Sequence, residues 1–314
     1  MSKYRHGLPQ LQNSLFLTDG GLETTLVFHD RWDLPHFAAF DLLRNEAGTE
    51  RLREYFHLYT RIALEQRVGI VLEAPTWRAN ADWAAKLGYD AAALADANRR
   101  AIGLLIEVRD ALETAATPIV VSGNIGPRGD GYRPEARMCV DDARRYHAVQ
   151  IGTFAATDAD MLGAFTMNYV EEAVGIALAA RDAAMPLELS FTLETDGKLP
   201  SGQSLADAIE RVDRESGAYP AYYAINCAHP THFEDMLDEL GPAIRRVRGL
   251  RANASRRSHA ELDASTDLDA GDPVELGAEY RRLQRKLPAL AVVGGCCGTD
   301  HRHVAAIAQA MLAS

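Results

Sequence analysis

Eight short apolar runs, each followed by an amphipathic stretch, set the strongest limit on what this 314-residue chain can fold into. The runs cover 15–20, 69–74, 118–123, 161–166, 187–193, 222–227, 249–253 and 290–295. Each is nearly continuous, as a strand covered on both faces should be. Several end in Gly, Pro, Asn or Ser, which marks a turn. Between them lie helical patterns over 50–66, 91–112, 141–157, 170–181, 204–212, 233–240, 273–283 and 301–312. In the first of these, Leu52, Tyr55, Phe56, Tyr59, Ile62 and Ala63 share one face at helical spacing. Strand and helix alternating eight times predict an α/β fold with a parallel sheet. Eight such units closing on themselves make a (β/α)8 TIM barrel, one domain over residues 1–314. An open, doubly wound sheet is the rival. Asp19-Gly20-Gly21 after the first run lacks the spacing of a dinucleotide fingerprint.

Composition narrows the partners. Hydrophobic residues make up 47% and charged residues 25%, ordinary for a globular protein. A net charge of −11 repels phosphate backbones, so nucleic acid is not expected. No apolar run is long enough to span a bilayer, and residues 1–12 read as polar with no secretory core. A cytoplasmic protein is expected, and a monomer, since no dimerisation arm extends beyond the barrel.

In barrels of this kind the chemistry sits where the strands end. Three of the four cysteines fall there: Cys227 after the sixth run, and Cys296 and Cys297 after the eighth. Cys139 begins a helix on the outside. In a cytosolic chain the expectation is free thiols or metal ligands, not disulfides. Adjacent strand residues point to opposite faces, so two neighbouring cysteines aimed at one ion must leave strand geometry. Gly294, Gly295 and Gly298 permit the unusual dihedrals this needs. Three thiolates leave one tetrahedral position open, as a catalytic zinc site requires, and soft sulfur favours Zn²⁺ over Mg²⁺ or Ca²⁺. A cysteine is also a small apolar residue suited to a core, and for Cys227 alone both readings stand.

Asp19-Gly20-Gly21, Asn226-Cys227 and Gly294-Gly295-Cys296-Cys297-Gly298-Thr299 resemble the signature of the homocysteine S-methyltransferase family. Ser122-x-x-x-Gly126-Pro127, Ser190-Phe191, Gly202 and His303 resemble further landmarks, so the likeness covers nearly the whole chain. It implies a (β/α)8 barrel with zinc on Cys227, Cys296 and Cys297. It also implies transfer of a methyl group from a small donor, such as S-methylmethionine, S-adenosylmethionine or a betaine, to a thiol. The usual thiol in the family is L-homocysteine, giving methionine, and a second protein delivering the methyl group stays open. Asp19 matches the position that helps hold the substrate amino group. Gly20 would let its amide approach the substrate, and Asn226 would orient the zinc shell or the substrate, or satisfy backbone groups.

The chain departs from the family in three places. Counting back from Glu172-Ala173 puts Phe165 where the family carries a second amino-binding Glu. The second run ends in Glu73-Ala74-Pro75-Thr76-Trp77-Arg78, and the seventh gives Arg251-Ala252-Asn253-Ala254-Ser255. An unpaired buried ammonium is costly. Either Glu73 or Glu194 therefore replaces the lost carboxylate, with Thr76 beside the substrate, or the acceptor is a thiol without an α-amino group. Glu73 has the plainer alternative of pairing with Arg78. Trp77 and Trp83 would form part of a cage for a cationic donor. The polar stretch 256–263 reads as a lid or donor loop, or as a solvated helix. His229, His259, His301 and His303 are not at zinc-ligand spacing and read as supporting or capping residues. A barrel hydrolase is disfavoured because it would use His and carboxylate ligands; a non-catalytic zinc protein is the remaining alternative.

Overall fold

In a computed structural model, which describes every residue except Asn13, Thr266 and Ser314 and the side chain of Asp263, eight parallel strands close into a barrel in sequence order. They are β1 (Phe16–Leu17), β2 (Gly69–Glu73), β3 (Ile119–Ile125), β4 (Met161–Met167), β5 (Leu187–Thr192), β6 (Tyr222–Asn226), β7 (Val247–Ala252) and β8 (Val292–Gly295). β1 closes the ring against β8 through Phe16↔Val292 and Leu17↔Val293. The expected barrel is therefore present, and the open sheet is excluded.

The outer helices are Glu46–Gln66, Ala91–Leu112, Val140–Ala155, Val170–Asp182, Leu205–Ser216, Pro273–Leu283 and His301–Leu312. Five of these seven start on a side-chain cap. Asn45, Asp90 and Ser204 accept hydrogen bonds from the amides of Gly48, Ala93 and Asp207, each worth about 1 kcal/mol. No described helix is long and apolar enough to cross a membrane.

The sixth unit differs from the sequence expectation. The helix anticipated over 233–240 is a 3-10 run, Asp235–Arg246, broken at Gly241 with φ 52° and followed by Pro242. Apolar spacing alone suggested a helix there. The Gly-Pro pair prevents a regular α-helix because proline has no amide hydrogen and glycine takes the left-handed turn.

The barrel interior is not uniformly apolar. Glu73 from β2, Ser122 from β3, Glu188 and Ser190 from β5 and Arg251 from β7 are all buried. Small residues make room for the carboxyls. A Cβ on Gly163 would stand 2.8 Å from Glu73 Oε2, and one on Gly249 would stand 2.9 Å from Glu188 Oε1.

Candidate active site

A cavity of about 600 Å³ opens at the C-terminal ends of the strands. Its wall includes Asp19, Gly20, Glu73, Asn226, Cys227, Cys296 and Cys297, so most of the expected site residues meet in one place. Thr76 and Glu194 are not part of its lining. The Thr76 hydroxyl donates to the Asn124 carbonyl at 2.7 Å, tying the β2 loop to β3. Glu194 pairs with His259 at 3.2 Å.

One sulfur atom from each of Cys227, Cys296 and Cys297 lies within 4.8 Å of the other two. Cys227 follows β6 in the left-handed region, φ 53°, which bends its side chain out of strand alternation. Asn226 steadies that bend. Its Oδ1 accepts from the Thr166 amide at 2.9 Å and the Ser190 hydroxyl at 2.6 Å, and its Nδ2 donates to Thr166 Oγ1 at 2.9 Å. Its polar atoms thus brace β4 and β5.

The glycines around the double cysteine work differently from the sequence expectation. Only Gly298 has positive φ, 80°. Gly294 and Gly295 are needed for close approach: a Cβ on Gly294 would stand 2.7 Å from the Asp19 carbonyl, and one on Gly295 2.7 Å from Thr299 Cβ. The turn after β8 is closed by the Thr299 amide and hydroxyl, both donating to the Cys296 carbonyl.

Cys227 and Cys296, 69 positions apart, are joined as a disulfide with 5.4 Å between their Cα atoms. This corrects the expectation that no cysteine would be bonded. Cys139 is exposed outside the barrel, where its thiol donates to Asp142 Oδ2 at 3.0 Å.

Around the sulfurs lies a layer that sequence reasoning placed only loosely. The hydroxyl of Tyr132 is 3.8 Å from the Cys297 sulfur, and its ring stacks on His259 at 4.0 Å between centroids. His259 opens the short helix His259–Asp263 and hydrogen-bonds through Nε2 to the Cys227 carbonyl. The stretch after β7 therefore reaches the cysteine cluster through one buried histidine, while Arg256, Arg257 and Glu261 stay exposed. His229 and His303 make supporting contacts: His229 caps a turn at the Thr231 amide, and His303 caps the last helix at Asp300.

The charged groups are unevenly satisfied. Asp19 Oδ1 accepts from Arg251, and Oδ2 accepts from the Tyr55 hydroxyl at 3.0 Å. The Arg251 Cζ lies 5.0 Å from the Phe165 ring centroid. Glu73 is buried, and neither of its oxygens has a hydrogen-bond partner. Burial pushes its carboxyl upward, and so does Glu188 nearby. Burial likewise raises Glu188, whose Oε2 accepts from the Tyr222 hydroxyl at 2.7 Å. Glu23, which the sequence gave no reason to select, also lines the cavity. Desolvation pushes its carboxyl up to about 7.

The expected aromatic cage is filled. The Arg78 guanidinium sits between Trp77 and Trp83, with Cζ 4.1 and 3.8 Å from their rings. Arg78 makes no pair with Glu73, so the plainer reading of Glu73 also fails.

Several known proteins resemble this chain. The model of the family described as homocysteine S-methyltransferase matches residues 16–311. No curated protein matches. Among solved structures, the oxidized form of the Escherichia coli homocysteine methyltransferase MmuM superposes with a TM-score of 0.75 at 22% identity, covering 96% of this chain and 97% of that one. Its metallated form gives 0.73 at 20% identity, with 95% and 97% covered. Its apo form gives 0.67 at 20%, with 95% and 96% covered. At these identities the superpositions establish the shared fold, and the family model, matching nearly the full length, establishes that the chain belongs to the homocysteine S-methyltransferase family.

Proposed function

We propose that this methyltransferase transfers a methyl group from a small onium donor to a thiol, with L-homocysteine as acceptor and methionine as product, and that it uses zinc on Cys227, Cys296 and Cys297. The observation that carries the reading is the three-sulfur cluster in the cavity wall. Three convergent sulfurs form a soft donor set that suits zinc. When bound, zinc would supply an acceptor thiol that is deprotonated and nucleophilic at neutral pH. The reduced cysteines this demands fit a cytoplasmic setting.

The chain's own residues bind and align. Glu73 is the carboxylate that meets the acceptor ammonium, because both its oxygens lack partners and it lines the cavity. An ammonium beside it would favour its ionised form. Asp19 lines the same cavity, with one hydrogen bond on each oxygen, from Arg251 and from Tyr55, that orients its carboxylate. Gly20 leaves the wall open for a substrate: a Cβ there would stand 2.7 Å from the Tyr59 hydroxyl. Holding sulfur and methyl carbon in line is the main catalytic task left to the protein.

A second reading has a specific observation behind it. Asp19 is already paired with Arg251, and Phe165 brings no charge to the cavity. Both suit a thiol acceptor that lacks the α-amino group. The test is zinc-edge absorption on reduced, zinc-loaded protein with and without L-homocysteine, repeated with a mercaptocarboxylate. A sulfur added to the metal by homocysteine supports the first reading. A sulfur added only by the mercaptocarboxylate supports the second. Absence of stoichiometric zinc in fully reduced protein overturns both.

A further inference from the structure

Cys227 sits in a backbone conformation that L residues rarely adopt, φ 53°. Such a conformation persists only where its surroundings fix it. The Cys227 amide donates to the Arg251 carbonyl at 3.1 Å, continuing the pairing of β6 with β7. The peptide that follows is fixed from outside that pair. The Cys227 carbonyl accepts from His259 Nε2, the closer of its two donors, and from the Thr192 hydroxyl at 3.4 Å. A carbonyl oxygen can only accept, so Nε2 carries the hydrogen. His259 is itself buried and braced on two sides. Its Nδ1 meets Glu194 Oε1 at 3.2 Å, and the Tyr132 ring lies against its face, tilted by 32°. Tyr132 follows β3, Glu194 follows β5 and His259 follows β7, so three loops converge on one imidazole beside Cys227. Ser258 anchors its backbone, forming with Glu261 a capping box that opens the helix His259–Asp263.

Both nitrogens of His259 are engaged, and the residue is not part of the cavity wall, so it does not face an incoming thiol as a base. Glu194 stands outside the wall as well. We propose that His259 is the positioning residue of Cys227: its Nε2–H holds the carbonyl that keeps this cysteine turned toward Cys296 and Cys297, and Glu194 holds His259 in place. The proposal rests on the zinc reading given above. It moves Glu194 from the substrate to a place behind the metal ligands. A hydrogen bond of this kind orients a ligand before the ion arrives, so less has to be ordered on binding.

The test separates the donated hydrogen from the ring. His259→Phe keeps an aromatic ring against Tyr132 and has no N–H. His259→Gln has no ring but can bring an amide N–H to the Cys227 carbonyl. Reduced, metal-free protein is titrated with Co²⁺, reading the thiolate-to-cobalt charge-transfer band, and Zn²⁺ then displaces it to give the zinc affinity. His259→Phe should bind zinc about 10–100-fold more weakly than wild type, the usual loss for a partner behind a metal ligand. His259→Gln should recover most of that loss and return the cobalt band to its wild-type position. Glu194→Ala should weaken zinc binding less, and adding it to His259→Phe should cost nothing further, because it acts through the imidazole. A role in packing alone gives the opposite order, with His259→Phe close to wild type and His259→Gln impaired. That order overturns the proposal, as do equal losses in the two variants or full additivity of Glu194→Ala with His259→Phe. Thermal unfolding of the metal-free proteins checks that each is folded. If His259→Phe is not, Glu194→Ala carries the test, and unchanged zinc affinity there overturns the proposal. Wild type that takes up neither ion removes the zinc reading itself, whereas uptake indifferent to His259 removes only the positioning role.

Discussion

Arg251 and Asp19, 232 positions apart in sequence, meet inside the barrel as a buried ion pair. The guanidinium also donates from Nε to the Gly295 carbonyl at 3.2 Å, so one side chain links β7, the end of β1 and the strand that leads into Cys296. Asp19 is thereby satisfied within the protein. The family resemblance implies a substrate role for it; in this structure its carboxylate lines the cavity and also ties its wall together.

Removing one member of such a pair leaves the other charged and unpartnered. Arg251→Met should therefore lower stability by about 3–5 kcal/mol. Asp19→Asn combined with Arg251→Met should recover much of the loss, since no lone charge remains. Urea unfolding of the two single variants and the double variant measures the coupling directly. A single Arg251→Met variant within about 1 kcal/mol of wild type would mean that solvent reaches Asp19.

Gly294→Ala tests the close packing behind the double cysteine. The added methyl meets the Asp19 carbonyl at 2.7 Å and also the Thr18 hydroxyl, neither of which can swing away on a flexible chain. Overpacking of this kind costs about 1–3 kcal/mol. The strand must shift, and Cys296 moves with it. The variant should melt earlier and bind zinc less than stoichiometrically by elemental analysis. Gly103→Ala, at a helical glycine with open space around its Cβ, should do neither.

The barrel was legible because buried parallel strands leave unbroken apolar runs and the turns between units carry Gly, Pro and Asn. The cysteine cluster was legible because Gly-Gly-Cys-Cys-Gly is local and has little use in an ordinary core strand. What sequence could not supply was pairing across the barrel. Arg251 stood out only as a departure from a pattern, because its partner lies 232 positions away. No local pattern marks Glu23, two residues after the Asp19-Gly20-Gly21 turn; the fold turns it into the cavity. Trp77 and Trp83 suggested a cage for a cationic donor, and both rings do lie against a cation. Their occupant was the residue between them in sequence, and nothing in its spacing showed which way its guanidinium would fold.

Cys139 and Cys297 provide an internal contrast, since both are exposed thiols but only Cys297 stands with the cluster. Cys297→Ser should lose tight zinc binding, because a neutral hydroxyl is a poor substitute for thiolate. Cys139→Ser should bind one zinc per chain, the stoichiometry expected of wild type. Its hydroxyl, at the start of the helix Val140–Ala155, should also add a few tenths of a kcal/mol through better capping. Elemental analysis of protein prepared under reductant reads the first effect, and thermal unfolding reads the second. Equal zinc in the two variants would detach the metal from the cluster.

Glu73→Gln separates the electrostatics of the cavity from its binding role. The Glu73 carboxyl is raised above its ordinary 4.5, first by burial and then by Glu188. The folded protein therefore keeps a proton that the unfolded chain releases as pH rises above that value. The unfolded state then binds fewer protons, so stability falls with increasing pH, by at most ~1.4 kcal/mol per pH unit. Glutamine has the same shape and no proton to lose. The variant should match wild type near about pH 5 and become progressively the more stable of the two toward about pH 8. It should at the same time bind L-homocysteine about ten-fold or more weakly, because the ammonium loses its carboxylate, while a thiol lacking the amino group binds as before. Denaturant unfolding across pH reads the first effect, and calorimetric titration of the two thiols reads the second. A stability difference that stays flat with pH would show that Glu73 is already ionised against a cation. Unchanged homocysteine affinity beside the expected pH trend would keep the carboxyl buried and neutral, and would favour the acceptor without an amino group.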